Sequence, residues 1–149
     1  MLILKEKEWN YLEQHSDIGT KQDLARYRMN VAKQDLCASQ LLRDANEFRG
    51  ANNRAYYAIY HAISAVHALD GNAYRKHKDA LSNFNRNYVK TEIFPRTCGH
   101  KIAQAAEIRH ASDYDDFYVA TKEEAEEQID TAREVIEMIE VYLTANIDK

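Results

Sequence analysis

The sequence predicts an all-α fold, an antiparallel up-and-down bundle of four main helices with one additional short helix, on three observations. Four Gly and one Pro in 149 residues leave few of the residues that tight turns need, which favours a few long helices over many short strands. Apolar residues recur at spacings of three and four through most of the chain, the period of one helical face. Near the end this period is regular: Ala125, Ile129, Ala132, Ile136, Ile139 and Leu143 alternate steps of four and three, the seam of an antiparallel bundle.

Each element follows from local signals. An amphipathic segment of roughly Leu4 to His15 precedes turn-like Ser16, Asp17 and Gly19. A long first helix then runs from about Thr20 to Asn46, with Leu24, Tyr27, Val31, Ala38, Leu41 and Ala45 mostly at helical spacing. Gly50 marks a break, and a central helix covers about Ala51 to Leu69 before Asp70 and Gly71 end it. That helix has two neighbouring apolar stripes, one of Tyr56, Ile59, Ile63 and Val66, the other of Ala55, Ala58, Ala62, Ala65 and Leu69. Two stripes indicate a buried centre, and the alanines permit close helix approach. A polar, His-bearing loop leads to a short helix near Lys78 to Lys90. Pro95 interrupts the chain, and a further helix covers about Gly99 to Tyr114. After a loop containing Phe117 and Tyr118, Thr121 with Glu124 resembles a capping box opening the last helix.

Length and composition bound the function classes. A chain of 149 residues fits a single domain over 1–149, large enough to bury a core without disulfides or metal. Cys37 and Cys98 form no CxxC pair, which fits a reducing compartment. The start, MLILKEKEW, has too short an apolar run for a signal peptide, and the stretch Ala55 to Leu69 contains His61 and His67 and falls short of a membrane span. These features predict a cytoplasmic protein with no membrane association.

The formal net charge is −4 and unevenly spread. Residues 121–149 carry nine acids against three bases, whereas Tyr74 to Arg109 carry eight bases against three acids. The basic segment is a candidate surface for a polyanion; the alternative is an ordinary solvated surface balanced by the acidic last helix.

The most informative stretch is Asn52 to His61, NNRAYYAIYH, which places Arg54, Tyr57 and His61 along one helical stripe. A metal-free ribonuclease needs an acid or base near the 2′-hydroxyl and leaving oxygen, and a cation to stabilise the charged phosphorane; His and Arg supply these. Seven residues correspond to roughly 10 Å along a helix axis, a gap that arginine's length closes in part and that a second subunit could also bridge. The competing reading is a buried polar network in which Arg54, Tyr57 and His61 satisfy one another and the neighbouring helices. Arg109 and Asp113 form an i, i+4 pair on the stripe of Ile102 and Ala106, either fixing Arg109 for a phosphate or a central-helix tyrosine, or serving as a helix ion pair. Among the histidines His61, His67, His77, His100 and His110, only Cys98 with His100 makes a close soft pair, and no ligand set has a recognisable metal spacing. No Gly-rich phosphate loop and no Ser nucleophile elbow is present. No metal or other cofactor is therefore expected.

Taken in order, NNRAYYAIYHA, the His77-containing KHKDAL, NYVK at Asn87 to Lys90, RHASDYDD from Arg109 and an EEA-led final helix closely resemble the HEPN (higher eukaryotes and prokaryotes nucleotide-binding) domain family, especially its small stand-alone prokaryotic branch. The resemblance spans about Asp23 to Leu143, and the RAYYAIYH core and the element Arg109 to Tyr114 carry most of its specificity. It implies a bundle of four main helices plus a short one that commonly dimerises with polar grooves facing each other. Family members often work with a small nucleotidyltransferase as toxin and antitoxin. Several are metal-independent ribonucleases using an Arg and a His four to six residues later. Arg54 and His61, with six intervening residues, meet that spacing at its limit, on the central helix rather than near the later helix where the motif usually sits. At the later position His110 directly follows Arg109, and Ser112 stands where some relatives carry a nucleotide-accepting tyrosine.

The resulting expectation is a homodimeric protein of a toxin–antitoxin or defence-like pair. It would bind RNA or nucleotide through Arg54, Tyr57, His61, His77, Arg109, Asp113 and Tyr114. If it cleaves RNA, His61 is the acid or base and Arg54 or Arg109 the phosphate stabiliser, making it a metal-independent endoribonuclease. The alternative is a non-catalytic helical module that docks a small nucleotidyltransferase partner, and a third is a helical scaffold. Nuclease or RNA binding predicts that Arg54, His61 and Arg109 open to a shared groove; the docking module predicts them buried and hydrogen-bonded.

Overall fold

The computed structural model describes residues 19–149, so the expected segment Leu4 to His15 and the turn residues Ser16 and Asp17 lie outside the described residues. Helix α1, Lys21–Asp44, starts where Thr20 supplies a full capping box. The Thr20 hydroxyl accepts from the Asp23 N–H, and the Asp23 carboxylate accepts from the Thr20 N–H, both at 3.1 Å. It ends in a Schellman turn: the Asn46 N–H donates to the Arg43 carbonyl at 2.9 Å, the Glu47 N–H to that of Leu42 at 2.8 Å, and Asn46 sits at φ 61°.

The break therefore falls at 45–47 rather than at Gly50. Asparagine takes the left-handed position, and Gly50 lies in the first turn of α2, Phe48–Leu69, where a Cβ would stand 3.3 Å from Leu42 Cδ1. The other end of α2 is as the sequence predicts. Gly71, at φ 80°, donates its N–H to the Ala68 carbonyl at 3.0 Å, and the Asn72 N–H reaches the His67 carbonyl at 2.8 Å, a second Schellman turn.

The expected helix Lys78 to Lys90 is two elements, α3, His77–Phe84, and a π-helical turn, Asn85–Val89. The wider turn puts Tyr88 beside Phe84 and Phe94, where its hydroxyl donates to Asp70 at the end of α2. Helix α4, Arg96–Tyr114, begins directly after Pro95 and three residues before Gly99. Helix α5, Lys122–Asn146, is capped by Thr121, whose hydroxyl accepts from the Glu124 N–H at 3.1 Å. This cap is only half of the expected box, because the Glu124 carboxylate instead accepts from Asn52 Nδ2 of α2 at 3.0 Å.

Four main helices and short α3 make the expected all-α bundle, with no strand among the described residues. Helix α2 touches every other α-helix and is buried along most of its length, with Ala55, Ala58, Ile59, Ala62, Ile63, Ala65 and Val66 wholly enclosed. Ile129, Ala132, Val135, Ile136, Ile139 and Leu143 of α5 complete the core with Ala25, Met29 and Ala32 of α1. Helices α1 and α4 each pack on α2 and α5, but their backbones do not approach one another. A band of α2 between them is thereby left to polar and aromatic side chains. No helix among the described residues is long and apolar enough to cross a membrane.

Candidate functional site

The first turns of α2 send Asn52, Asn53 and Arg54 to three different neighbours, because successive residues on a helix are about 100° apart. Asn52 reaches α5, Asn53 reaches Asp113 of α4, and Arg54 reaches Asp35 of α1. One turn further, Tyr57 faces α4; two turns further, His61 faces α1 again. The stripe predicted from sequence therefore exists, but it divides between two flanks.

On the α1 flank, one carboxylate serves both predicted catalytic groups. Arg54 Nη1 donates to Asp35 Oδ1 at 3.0 Å, and His61 Nε2 lies 3.5 Å from Asp35 Oδ2, a loose contact. Asp35 closes the axial gap between Arg54 and His61 that spacing alone leaves open. It is 7% exposed and His61 8%, whereas the Arg54 side chain is 47% exposed and presents its other edge to water. Burial pushes the His61 imidazole down to about 4, reinforced by the cations Arg28 and Arg54 and by His77. His61 is therefore neutral at neutral pH, able to accept a proton but not to pair with Asp35 as a cation. Burial also raises the Asp35 carboxyl above its ordinary range against the opposing pull of Arg54.

On the α4 flank the centre is Arg109. Its Nη2 donates to the Tyr57 hydroxyl at 3.0 Å, its Nε stands 3.0 Å from Asp113 Oδ2, and its guanidinium lies over the Tyr56 and Tyr57 rings at 5.5 and 5.6 Å. Asp113 also accepts from Asn53 Nδ2 at 2.9 Å. Asp113 thus holds Arg109 against a central-helix tyrosine, one of the two arrangements the sequence left open.

His77, at the start of α3, stacks on Tyr60 with ring centroids 3.8 Å apart, and its Nδ1 shares a hydrogen bond of 3.1 Å with the Tyr56 hydroxyl. Burial, then Arg109, lowers the His77 pKa; burial raises that of Tyr56, opposed by Arg109. Both groups are neutral at neutral pH. Three buried polar atoms of this cluster, Asn53 Oδ1, His77 Nε2 and Arg109 Nε, make no hydrogen bond, the last standing in an ion pair with Asp113.

Arg54 and His61 thus meet through Asp35, and Tyr57, Arg109, Asp113 and His77 meet through the tyrosines. Tyr114 joins neither group: it is 68% exposed at the end of α4, against His110 at 4.9 Å. Sequence reasoning missed Asp35 and Asn53, and it assigned Tyr56 to an apolar stripe although its hydroxyl is used. The available signal for Asp35 was its place three residues after Ala32 on the stripe Ala25, Met29, Ala32, Leu36, Ser39.

Two other features stand apart from this site. A cleft of about 280 Å³ between α4 and α5 is lined by Pro95, Cys98, Lys101, Glu134 and Met138 among others, none of them a predicted site residue. Burial pushes the Cys98 thiol up to about 11, which suits packing rather than nucleophilic chemistry. Among the described residues, no group of three or more His, Cys, Asp or Glu side chains is placed to hold a metal ion.

Comparison with known proteins agrees with this architecture. The family model described as HEPN domain matches residues 25–142. A UPF0332 protein of Thermotoga maritima is 28% identical over 123 residues, covering 83% of this chain and 93% of its own length. A protein of Methanocaldococcus jannaschii named "Putative toxin MJ0605" is 28% identical over 115 residues, 77% of this chain and 85% of its own. The crystal structure of TT1696 from Thermus thermophilus superposes with a TM-score of 0.67 at 20% identity, covering 78% of this chain and 95% of that one, a likeness of fold.

Proposed function

The chain belongs to the HEPN domain family, and from that premise we propose that it is the toxin-like member of a toxin–antitoxin or defence-like pair and binds RNA or nucleotide phosphates on the face of α2 between α1 and α4. The observation that carries this reading is the placement of Arg54 and His61 on one flank, and Tyr57, Arg109 and His77 on the other, of a single band of α2 between two helices whose backbones stay apart. Two arginines supply phosphate contacts, and the part-exposed Tyr57 and His77 rings supply the aromatic edge of the face. Two relatives named "Putative toxin" support the biological setting.

Cleavage, where it occurs, needs no metal in this reading. Neutral His61 accepts the proton of the 2′-hydroxyl as its oxygen bonds to phosphorus, Arg54 neutralises charge on the phosphorane, and the bond to the 5′-oxygen breaks as His61 returns that proton to it, leaving a 2′,3′-cyclic phosphate. The protein would act as a homodimer in the cytoplasm.

A second reading, a non-catalytic module that docks a small nucleotidyltransferase, is favoured by two observations: His61 is buried and Arg54 and Arg109 are hydrogen-bonded on separate flanks of α2, the arrangement this reading expects, and a large apolar side chain is held out to solvent. Phe117 is 94% exposed on a loop fastened by Arg49 Nη2 to the Tyr118 carbonyl at 2.8 Å and by the Asp115 carboxylate to the Phe117 N–H at 3.0 Å. A large apolar side chain presented on a fixed loop is a pre-organised anchor for a protein surface.

Incubation of a mixed RNA pool with purified protein in excess EDTA, with binding followed by filter retention, separates the two readings. Retention of RNA by wild type that Arg54→Ala and Arg109→Ala both weaken supports the first, and cleavage lost in His61→Ala with an unchanged helical spectrum adds catalysis. Absence of both retention and cleavage by folded protein favours the docking module.

A further inference from the structure

Helix α1 carries an apolar stripe outside the core. Leu24, Tyr27 and Val31 follow one another at spacings of three and four, and Ala38 and Leu41 continue the line. Tyr27 and Leu41 are more than half exposed, and none of Leu24, Tyr27 and Val31 joins a hydrophobic cluster of the bundle. Among the described residues, α1 packs on α2 and α5 alone. We propose that the eighteen residues before Gly19 turn back along α1 and seat Trp9 on this stripe, as a strap beside the α1 flank of the candidate site.

The stripe borders that flank. Residues two apart on a helix point to nearly opposite sides, at about 100° per residue. Lys33, which donates to Glu140, marks the side of α1 that faces α5, so Val31 faces away from α5. Val31 also stands four residues before Asp35, its neighbour on the helix surface and the carboxylate that holds Arg54. A segment laid over Val31 therefore lies beside Asp35 and Arg54.

The direction, reach and composition of residues 1–18 suit them to this place. Thr20 caps α1 with an extended backbone, φ −100° and ψ 171°, so the chain before it leaves the helix axis instead of prolonging it. Ser16, Asp17 and Gly19 are residues that favour a turn there. Tyr27 and Val31 lie roughly 10 and 16 Å along α1 from Thr20. The ten residues from Trp9 to Ile18 span about 15 Å as a helix and about 33 Å extended, enough for Trp9 to meet either. Leu4, Trp9 and Leu12 supply apolar side chains, and four acids against two bases in residues 1–18 suit a flank that presents the half-exposed Arg54. Tethered at Gly19, the segment meets the stripe at an effective concentration on the order of millimolar, an advantage that a second copy of the chain lacks. The docking is independent of the nucleotide reading; its consequence, that RNA reaches Arg54 more readily once the strap is lifted, rests on that reading.

Trp9 is the single tryptophan of the chain, so tryptophan fluorescence reports the strap alone. Emission and acrylamide quenching are compared among wild type, the double variant Tyr27→Gln and Val31→Gln, a control with the exposed Val141 of α5 changed to Gln, and a synthetic peptide of residues 1–18. Circular dichroism verifies that the three proteins are folded. Wild type and control are expected to show blue-shifted emission and quenching several-fold weaker than the peptide, and the double variant to approach the peptide. Wild-type Trp9 as quenchable as the peptide overturns the inference, and this arm needs no variant to fold. Shielding that persists in the folded double variant also overturns it. Shielding lost on dilution in step with a fall in molecular mass overturns it as well, by assigning the stripe to a second copy. Filter retention of RNA by Trp9→Ser reads the consequence: retention several-fold tighter than by wild type supports a strap over the site, and equal retention overturns that shielding while the docking stands. No retention by either folded protein overturns the nucleotide reading and leaves the docking to the fluorescence result.

Discussion

His61 and His77 both titrate below the ordinary imidazole range, with burial as the first cause in each and different arginines behind it. His61 is held neutral by burial and by Arg28 and Arg54, while His77 owes its lowered pKa first to burial and then to Arg109. The sign of the resulting pH dependence follows from proton counting. An imidazole that titrates near 6.5 in the unfolded chain and about 4 in the fold is protonated more readily when unfolded, so its contribution is fully present above pH 6.5 and is lost as pH falls towards 4. For His61 the loss is roughly 3 kcal/mol. His67 and His77 act in the same direction, while Asp35, raised by burial, opposes them at the acid end because the fold keeps its proton more readily than the open chain. Denaturant midpoints measured from pH 7.5 to pH 4.5 should fall steadily, and the slope should flatten in His61→Gln. A midpoint independent of pH across that window would contradict the described burial of His61.

At the scale of elements, the C-terminal end of α2 and the seam of α5 were legible because they depend on local chemistry. Gly71 closes α2 at φ 80°, as the pair Asp70 and Gly71 suggests. The α5 stripe is buried at each of its six positions. Helix α1 was read on the wrong face: Tyr27 and Leu41 of the expected stripe are 55% and 66% exposed, and the buried stripe is Ala25, Met29, Ala32, Asp35 and Ser39. Large apolar residues dominate a hydrophobicity pattern, yet small ones decide where two helices approach closely, and a carboxylate among them hides the inward face. The same cause concealed the candidate site, since Asp35 is informative only once α1 is seen against Arg54 and His61. The π-helical turn and the reassignment of Glu124 from its own cap to Asn52 depend on tertiary partners, which lie beyond local pattern. The Schellman turn after α2 gives a direct check. Gly71→Ala places a Cβ in the left-handed region and within 2.7 Å of Lys21 Nζ, and should cost about 1–2 kcal/mol in chemical denaturation. A variant as stable as wild type would mean that the turn is not held at positive φ.

For the whole molecule, the arrangement of helices explains why polar chemistry can reside on the most buried helix. Helix α2 supplies the core on most of its surface, but between α1 and α4 its side chains are tyrosines and polar groups, packed in a smaller cluster with Ala80 of α3. Arg54, Tyr57 and Arg109 reach solvent there without opening the core, and the groups beneath them, Tyr56, Tyr60 and His61, are fixed by stacking and hydrogen bonds. The exposed bases of the basic segment, such as Lys76, Lys78 and Arg86, form a competing surface, while Lys101 is taken up by Glu134 at 2.7 Å. Backbone amide spectra of isotope-labelled protein titrated with a short 5′-phosphorylated RNA distinguish the two surfaces most directly. The α2 reading predicts the largest shifts at Asn53 to His61, Asp35, His77 and Arg109, saturating together. Shifts confined to the basic segment, or none at all in folded protein, would contradict it.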